Sequence, residues 1–202
     1  MNNQITKDDL KNIEAGIRSK YVQVAKSPEG RFKYPTGKKG IEALRYDKNL
    51  IGKLPDAVAS SYCGVGCPYS LGKINTGEQV LDIGCGAGAD TILAAMMTGP
   101  VGNVTGVDIV PEMLQRAETN LRMCDLKNVT FKKASGENLP FPGDSFDAVI
   151  SNGAINLIPD KERALTEIFR VLKAGGRLMM ADQVASGSVQ KQIKARLANW
   201  FR

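Results

Sequence analysis

The sequence predicts an α/β fold in which a mostly parallel sheet carries helices on both faces. Three observations support this prediction. Apolar segments of strand length alternate with segments of helix length from residue 79 onward. A glycine-rich loop, Asp82-Ile83-Gly84-Cys85-Gly86-Ala87-Gly88, joins the first strand to the first of these helices. The length of 202 residues fits one such domain with a short extension.

The first sixty residues differ from the rest of the chain. They are polar and basic, and turn signals occur at Ser27-Pro28-Glu29-Gly30 and Tyr34-Pro35-Thr36-Gly37. They predict one helix at 8–25, followed by a loop-rich cap. We therefore divide the chain into a cap at 1–60 and a ligand-binding domain at 61–202.

The alternating part begins with an apolar strand at 80–83, then a helix at 90–97 and a second strand at 103–108. A helix at 111–124 has proline at its first position and one apolar stripe, made of Leu114, Ala117, Leu121 and Cys124. Two further strands are predicted at 129–133 and 146–151.

The last predicted elements are a helix at 160–173, a fifth strand at 177–184 and a final helix at 188–201. Asp160 is the expected N-cap of the first of these, and Gly175 lies just past its end. Parallel strands joined by right-handed crossovers bind ligands at their carboxyl ends, so we expect the site at that edge of the sheet.

The composition excludes several kinds of chemistry. With no histidine, the chain has no Ser-His-Asp triad, no Cys-His pair and no imidazole base. The net charge of +6 divides into +5 for residues 1–60, −5 for 61–160 and +6 for 161–202. An acidic middle between basic ends does not suit nucleic acid but suits a cationic small ligand, although solvated surfaces of mixed sign would give the same pattern.

Nothing in the sequence predicts secretion or a membrane span. The start of the chain is polar, and the longest apolar run, 92–97, is far shorter than the ~20 residues that cross a bilayer. We therefore expect a cytoplasmic protein without a resident metal, in which four cysteines are reduced thiols: Cys63, Cys67, Cys85 and Cys124.

The glycine loop and two acids predict a nucleoside cofactor. Asp108 stands twenty residues after Gly88 at the end of the second strand, where a carboxylate can accept from both hydroxyls of a ribose. The loop also matches a dinucleotide fingerprint. Asp82, however, lies at the end of the strand just before these glycines and would repel a pyrophosphate, whereas it would attract the ammonium and sulfonium of S-adenosylmethionine. The pattern therefore favours S-adenosylmethionine.

Residues 60–185 resemble the class I S-adenosylmethionine-dependent methyltransferases. The resemblance rests on Val80–Gly88, Gly106–Asp108, Leu139–Phe141 with Ser145–Asp147, and Arg170–Leu178, in this order. It implies a Rossmann-like methyltransferase fold with S-adenosylmethionine as cofactor. The segments Val149–Lys161 and Gly64–Pro68 further resemble the arsenite methyltransferases.

This resemblance implies a set of cofactor-binding residues. Asp82 would meet the methionine ammonium, Asp108 the ribose hydroxyls, and Asn152 would offer its carbonyl near the sulfonium. Ile109 would pack on the adenine, and Gly136 and Glu137 would border the adenine edge. The loop residues expected to line the cofactor are Gly84, Cys85, Gly86 and Gly88.

Arsenite methyltransferases hold trivalent arsenic with three cysteines, and this sequence departs from that set. Val65 and Gly153 stand at two of the family's cysteine positions, and the third falls in a region without cysteine. Cys63 and Cys67 are spaced as two candidate thiolates for a soft metalloid substrate, and two ordinary, partly buried thiols would fit the same spacing.

Three functions follow as alternatives. The first is arsenite methyltransferase-like transfer to a small soft nucleophile, and the second is C-methylation of a quinone, sterol or other small metabolite. The third is a silent, truncated methyltransferase that acts as a binding module. The family's sheet has seven strands and only five are predicted here, so the last strands are expected to be missing, and the unfinished edge predicts a homodimer.

Overall fold

In the computed structural model, which describes residues 6–184, five strands form one sheet in the order β3-β2-β1-β4-β5. All neighbouring strands are parallel. The strands are β1 (Gln79–Ile83), β2 (Asn103–Asp108), β3 (Val129–Lys133), β4 (Phe146–Asn152) and β5 (Leu172–Ala181). The predicted fold class is confirmed.

Seven α-helices surround the sheet in the described part of the chain, together with two 3-10 turns at Pro68–Ser70 and Ile155–Leu157. Four belong to the cap, namely α1 (Lys7–Lys26), α2 (Gly37–Ala43), α3 (Lys48–Ile51) and α4 (Asp56–Ser60). Three connect strands, namely α5 (Ala89–Thr98), α6 (Pro111–Leu121) and α7 (Lys161–Val171). The helix predicted at 188–201 lies outside the described residues.

Right-handed crossovers place the helices on both faces of the sheet. The path β1-β2-β3 runs toward one edge and β4-β5 toward the other, so α5 and α6 lie on the face opposite α7. The packing agrees, because Val80 and Ala148 contact the alanines of α5, whereas Leu81 and Val149 share a cluster with Ile168 of α7. The order reverses between β1 and β4, which creates a binding crevice at their carboxyl ends.

Three predicted elements have wrong boundaries. The fifth strand, predicted at 177–184, is β5 at Leu172–Ala181. Helix α6 ends at Leu121, before the predicted Cys124. Helix α7 ends at Val171 because Leu172 already pairs with Phe146 in the sheet. Gly175, with φ of 78°, therefore lies inside β5 at the irregular pairing between Phe146 and Ala148, and is not a helix cap.

The first helix of the cap is built on the connecting helix α6. Thr6 and Asp9 form a reciprocal capping box at its start. Ile13 and Ile17 then pack with Val110 and Met113. This packing holds α1 beside the carboxyl end of β2. In the part of the chain described, no helix is long and apolar enough to cross a membrane.

An ion pair joins the start of β1 to β5, and its removal should destabilise the fold. Arg177 donates from Nη2 and Nη1 to the two carboxylate oxygens of Glu78, at 2.6 and 2.8 Å. These bonds from Arg177, aided by Asn75, lower the pKa of Glu78 to about 2. We expect Glu78→Gln to reduce the free energy of unfolding by about 1–3 kcal/mol at neutral pH.

The pH dependence of this effect follows from the lowered pKa. The stabilisation is complete above the unfolded pKa of Glu, about 4.3, and is lost as the pH falls toward 2. Urea unfolding of both proteins should therefore show a difference that shrinks below about pH 4. An equal difference at neutral and acidic pH would mean that the carboxylate is not the source of the stability.

Candidate active site

A cavity of about 680 Å³ opens at the carboxyl ends of β1, β2 and β4. Its floor is the glycine loop and the strand ends, and one wall is helix α1, through residues such as Ile17 and Tyr21. The opposite wall is the segment 153–159. Most of the predicted site residues line this cavity, namely Cys63, Gly84, Gly86, Asp108, Ile109, Gly136, Glu137 and Asn152.

The glycine loop approaches the cavity with its backbone. Gly84 has φ of 71°, and a Cβ at this position would overlap the Cβ of Ala154. The amides of Gly84 and Cys85 both donate to the carbonyl of Val107, at 2.8 and 3.0 Å, which fastens the loop to β2. Gly84 and Gly86 face the cavity. Cys85 is buried and Gly88 precedes α5, and neither lines the cavity.

Asp108 stands at the end of β2, where its carboxylate organises the loop. Its Oδ2 accepts from the amide of Gly86 and its Oδ1 from the amide of Val110, both at 2.9 Å. Burial raises the pKa of Asp108, and these backbone bonds oppose the rise. Ile109 follows it on the cavity wall and is 36% exposed. The carboxylate of Asp108 and the apolar side chain of Ile109 therefore lie side by side on the cavity wall.

Two buried carboxylates lie next to the loop. Asp82 on β1 accepts from Thr91 Oγ1 at 2.6 Å, and burial, with the nearby charge of Asp90, raises its pKa to about 8. Burial also raises the pKa of Asp90 to about 6, against the hydrogen bonds from Tyr46 and Asn152. Asp82 is 2% exposed and does not line the cavity. Asp82 therefore lies behind the glycine loop rather than on the cavity surface.

The segment after β3 lies on the cavity wall as predicted. Gly136 packs so closely that a Cβ there would lie 2.8 Å from Ile158 Cδ1. The carboxylate of Glu137 is engaged by the protein itself, since Oε1 accepts from the amide of Asp160 at 2.9 Å and Oε2 from Ser135 Oγ at 3.3 Å. Glu137 thus borders the cavity, while its carboxylate holds the start of α7.

The structure places the two candidate thiols in different surroundings. Cys63 lines the cavity, whereas Cys67 is 8% exposed and packs in a separate cluster with Tyr46 and Leu93. Burial raises the pKa of Cys63 to about 12 and that of Cys67 to about 11, so both are thiols at neutral pH. Within residues 6–184, no three Cys, Asp or Glu side chains are grouped to hold a metal ion.

One side of the cavity combines Cys63 with apolar residues. Gly153 begins the opposite wall, and a Cβ there would lie 3.3 Å from Val65 Cγ1. Two of the three positions at which the resemblance to arsenite methyltransferases implies cysteines are therefore neighbours in this chain, and both lack a thiol. Other side chains on this side are Tyr21, Ala154, Leu157 and Ile158.

Two features of the site were not predicted from the sequence. Helix α1 is a wall of the cavity, although its sequence shows only an amphipathic helix in the cap. The side chain of Asn152 is bonded to the loop Cys63–Cys67, with Oδ1 accepting from the amide of Val65 at 2.8 Å. The closeness of Gly64 and Gly66 in sequence was the available signal for such a tightly packed loop.

Comparison with known proteins agrees with this architecture. The sequence profile of a family described as "Methyltransferase domain" matches residues 74–202. An arsenite methyltransferase of Halobacterium salinarum is 40% identical over 155 residues, which are 77% of this chain and 39% of that protein. A demethylmenaquinone methyltransferase of Listeria welshimeri is 38% identical over 112 residues, 55% of this chain and 48% of that protein.

A solved structure shows the same fold. The crystal structure of CrArsM, an arsenic(III) S-adenosylmethionine methyltransferase from Chlamydomonas reinhardtii, matches with a TM-score of 0.61 at 35% identity. The match covers 73% of this chain and 49% of that one. The chain thus spans less than half the length of these relatives. It belongs to the methyltransferase-domain family, as a class I S-adenosylmethionine-dependent methyltransferase that resembles the arsenite methyltransferases.

Proposed function

We propose that this chain transfers the methyl group of S-adenosylmethionine to a small acceptor whose reacting atom is soft. The observation that supports this proposal is a single cavity. It is lined by the glycine loop and Asp108, and on the proposed acceptor side by Cys63 and apolar residues. A thiolate, an arsenic(III) species or a stabilised carbanion needs little help from a general base. A chain without histidine is suited to such acceptors.

The residues at the strand ends fit this cofactor. The glycine backbone leaves room beside β1, and Asp108 offers carboxylate oxygens for the ribose hydroxyls. The carboxyl of Asp82 behind the glycine loop would favour a cationic ligand over a pyrophosphate once it is ionised. When bound, the cofactor supplies a methyl group on a sulfonium, which a nucleophile displaces in line.

The protein contributes geometry and exclusion of water. Helix α1 and the segment 153–159 enclose the cavity from two sides, so that the acceptor approaches along the remaining direction. Holding two reactants in the reactive geometry lowers a barrier by on the order of 7–11 kcal/mol. Tyr21 and Leu157 keep the reacting atoms in a poorly hydrated environment.

Arsenite is the first candidate acceptor. The similarity to arsenite methyltransferases and the thiol of Cys63 in the cavity support it. A single cavity thiol would have to act with thiols from solution, such as glutathione, because Cys67 is turned into the core.

A carbon acid such as a quinol is the second candidate. The contact between Val65 and Gly153 forms an apolar surface at the place where thiols would be needed for arsenic. The similarity to a demethylmenaquinone methyltransferase supports the same candidate. In this case Cys63 serves as an apolar wall residue.

Transfer of label from methyl-labelled S-adenosylmethionine tests the proposal and separates the candidates. With arsenite and glutathione, we expect Cys63→Ala to reduce the rate by about 10-fold or more, whereas Cys124→Ala, a half-buried thiol outside the cavity, should remain within about 3-fold of wild type. Methylation of demethylmenaquinol that is insensitive to Cys63→Ala would favour the carbon acid. If neither acceptor gives a labelled product, the third alternative, a silent binding module, is the one that remains.

A further inference from the structure

The amide of Asn152 binds the backbone of the loop Cys63–Cys67. Its Oδ1 accepts from the amides of Val65 and Gly66, at 2.8 and 3.1 Å, and its Nδ2 donates to the carbonyl of Gly66 at 2.8 Å. Because the two amides can only donate, Oδ1 must face them, and the orientation of the side chain is settled chemically. The side-chain amide of Asn152 therefore both accepts from and donates to the loop backbone, as the backbone of a neighbouring strand does.

Buried polar side chains also form hydrogen bonds with Asn152. Its Nδ2 lies 3.0 Å from Asp90 Oδ2, and the hydroxyl of Tyr46 donates to Asp90 Oδ1 at 2.6 Å. The hydroxyl of Tyr62 donates to the carbonyl of Gly66 at 2.9 Å. Asp90, Tyr46 and Tyr62 are each at most 8% exposed. The bonds are thus made away from water, where losing a partner is most costly.

Close packing explains the glycines of the loop. A Cβ on Gly64 would overlap Asn152 Nδ2 and the hydroxyl of Tyr62. A Cβ on Gly66 would lie 2.6 Å from the Cβ of Ala181 at the end of β5. The loop is therefore pressed against the ends of β4 and β5, and Cys63 at its start lines the cavity.

We propose that Asn152 is a positioning residue that sets the acceptor side of the cavity through the loop Cys63–Cys67. This inference rests on the proposed function, and it moves Asn152 from a contact of the cofactor to a support of the acceptor wall. The contacts from Asn152 to the acceptor side are few. Asn152 binds the amide of Val65, Val65 packs beside Gly153, and the same loop contains Cys63. A change at Asn152 should alter acceptor binding and leave cofactor binding intact.

The test exchanges the carboxylate and the amide of the buried pair. Asn152→Asp removes the donor to Asp90 and places two carboxylates together, whereas the double variant Asp90→Asn/Asn152→Asp restores one amide and one carboxylate. In the double variant the carboxylate introduced at position 152 still accepts from the loop amides. It loses the Nδ2 donor to the Gly66 carbonyl, which keeps the hydroxyl of Tyr62 as its donor. Asn152→Ser, which shortens the side chain without adding charge, provides a second probe of the loop if Asn152→Asp does not fold.

Alkylation by N-ethylmaleimide, resolved by site with mass spectrometry, reports the loop without any acceptor. We expect Asn152→Asp and Asn152→Ser to speed modification of Cys67 by about 10-fold or more, with Cys124 unchanged as the internal control for global unfolding. The double variant should return Cys67 to within about 3-fold of wild type. The Kd of S-adenosylhomocysteine should stay within about 3-fold in every variant.

Kinetics complete the test. With whichever acceptor the wild type methylates, Asn152→Asp should raise the KM of the acceptor by about 10-fold or more, leave the KM of S-adenosylmethionine within about 3-fold, and be rescued in the double variant. The inference is wrong if Cys67 keeps its wild-type reactivity, if Cys124 accelerates equally, or if S-adenosylhomocysteine binding weakens first. Absence of turnover in the wild type would overturn the proposed function, while the alkylation result would still decide the role of Asn152.

Discussion

Asp108→Asn should weaken binding of S-adenosylhomocysteine by about 10- to 100-fold. The carboxylate of Asp108 accepts from the amides of Gly86 and Val110 and also faces the cavity. An amide has only one oxygen, so one backbone bond is replaced by a clash between two donors. The variant thus loses both an acceptor for the ribose hydroxyls and part of the loop's support.

Isothermal titration calorimetry measures this effect, and Asp125→Asn is its matched control. The side chain of Asp125 is fully exposed, so the same exchange there should leave the Kd within about 2-fold of wild type. Equal affinities for wild type and Asp108→Asn would show that the cofactor is not held at the end of β2.

Asp82→Asn should abolish a pH dependence that the wild type shows between about pH 6 and 8. Burial, with the charge of Asp90, raises the pKa of Asp82 to about 8, so the free protein holds a proton there at neutral pH. The native state binds more protons than the unfolded chain above about pH 4, and the free energy of unfolding therefore falls as the pH rises toward 8. The chain has no histidine to titrate in this window.

Ligand binding should depend on the same proton of Asp82, but with the opposite dependence on pH. A cationic cofactor on the other side of the glycine loop favours the ionised form of Asp82, so S-adenosylmethionine should release a proton and bind more tightly as the pH rises from about 6.5 to 8.5. In Asp82→Asn we expect binding at the higher pH to be weaker by about 10-fold or more and nearly independent of pH. Calorimetry in buffers of different ionisation enthalpy counts the released proton, and an unchanged proton count in the variant would exclude Asp82 as its source.

The order of strands and helices could be predicted because each has a local cause. The apolar strand before the glycine loop, Pro111 at the start of α6 and Asp160 at the N-cap of α7 all act within a few residues. The ends of α6 and α7 could not be predicted in the same way. Leu172 leaves the helix because Phe146, far away in sequence, offers a pairing partner in the sheet.

The candidate site shows the same division. Gly84, Gly86 and Asp108 follow a spacing that the strand-loop-helix unit imposes, and all three line the cavity. Cys67 lies only four residues from Cys63, yet its side chain packs in the core, because the intervening glycines let the loop turn against β4 and β5. The tertiary partners of Asn152 and Asp90 come from Tyr46 in the cap and from the loop Cys63–Cys67, and no local pattern predicts them.

The assignment of residues 1–60 as a separate cap, the residue roles in cofactor binding and the homodimer through a sheet edge stay predictions. In the described residues, β3 and β5 are the two edges of the sheet, and the dimer would need one of them. Sedimentation equilibrium over a range of concentrations measures that association directly.

The central claim is that the cavity at the ends of β1, β2 and β4 holds the cofactor. The most direct measurement is calorimetric titration of the full chain with S-adenosylhomocysteine at about pH 8, with Asp108→Asn and Asp125→Asn in parallel. We expect saturable one-to-one binding with a Kd below about 1 mM, weakened only in Asp108→Asn. No saturable heat up to about 1 mM ligand, or equal binding by all three proteins, would contradict it.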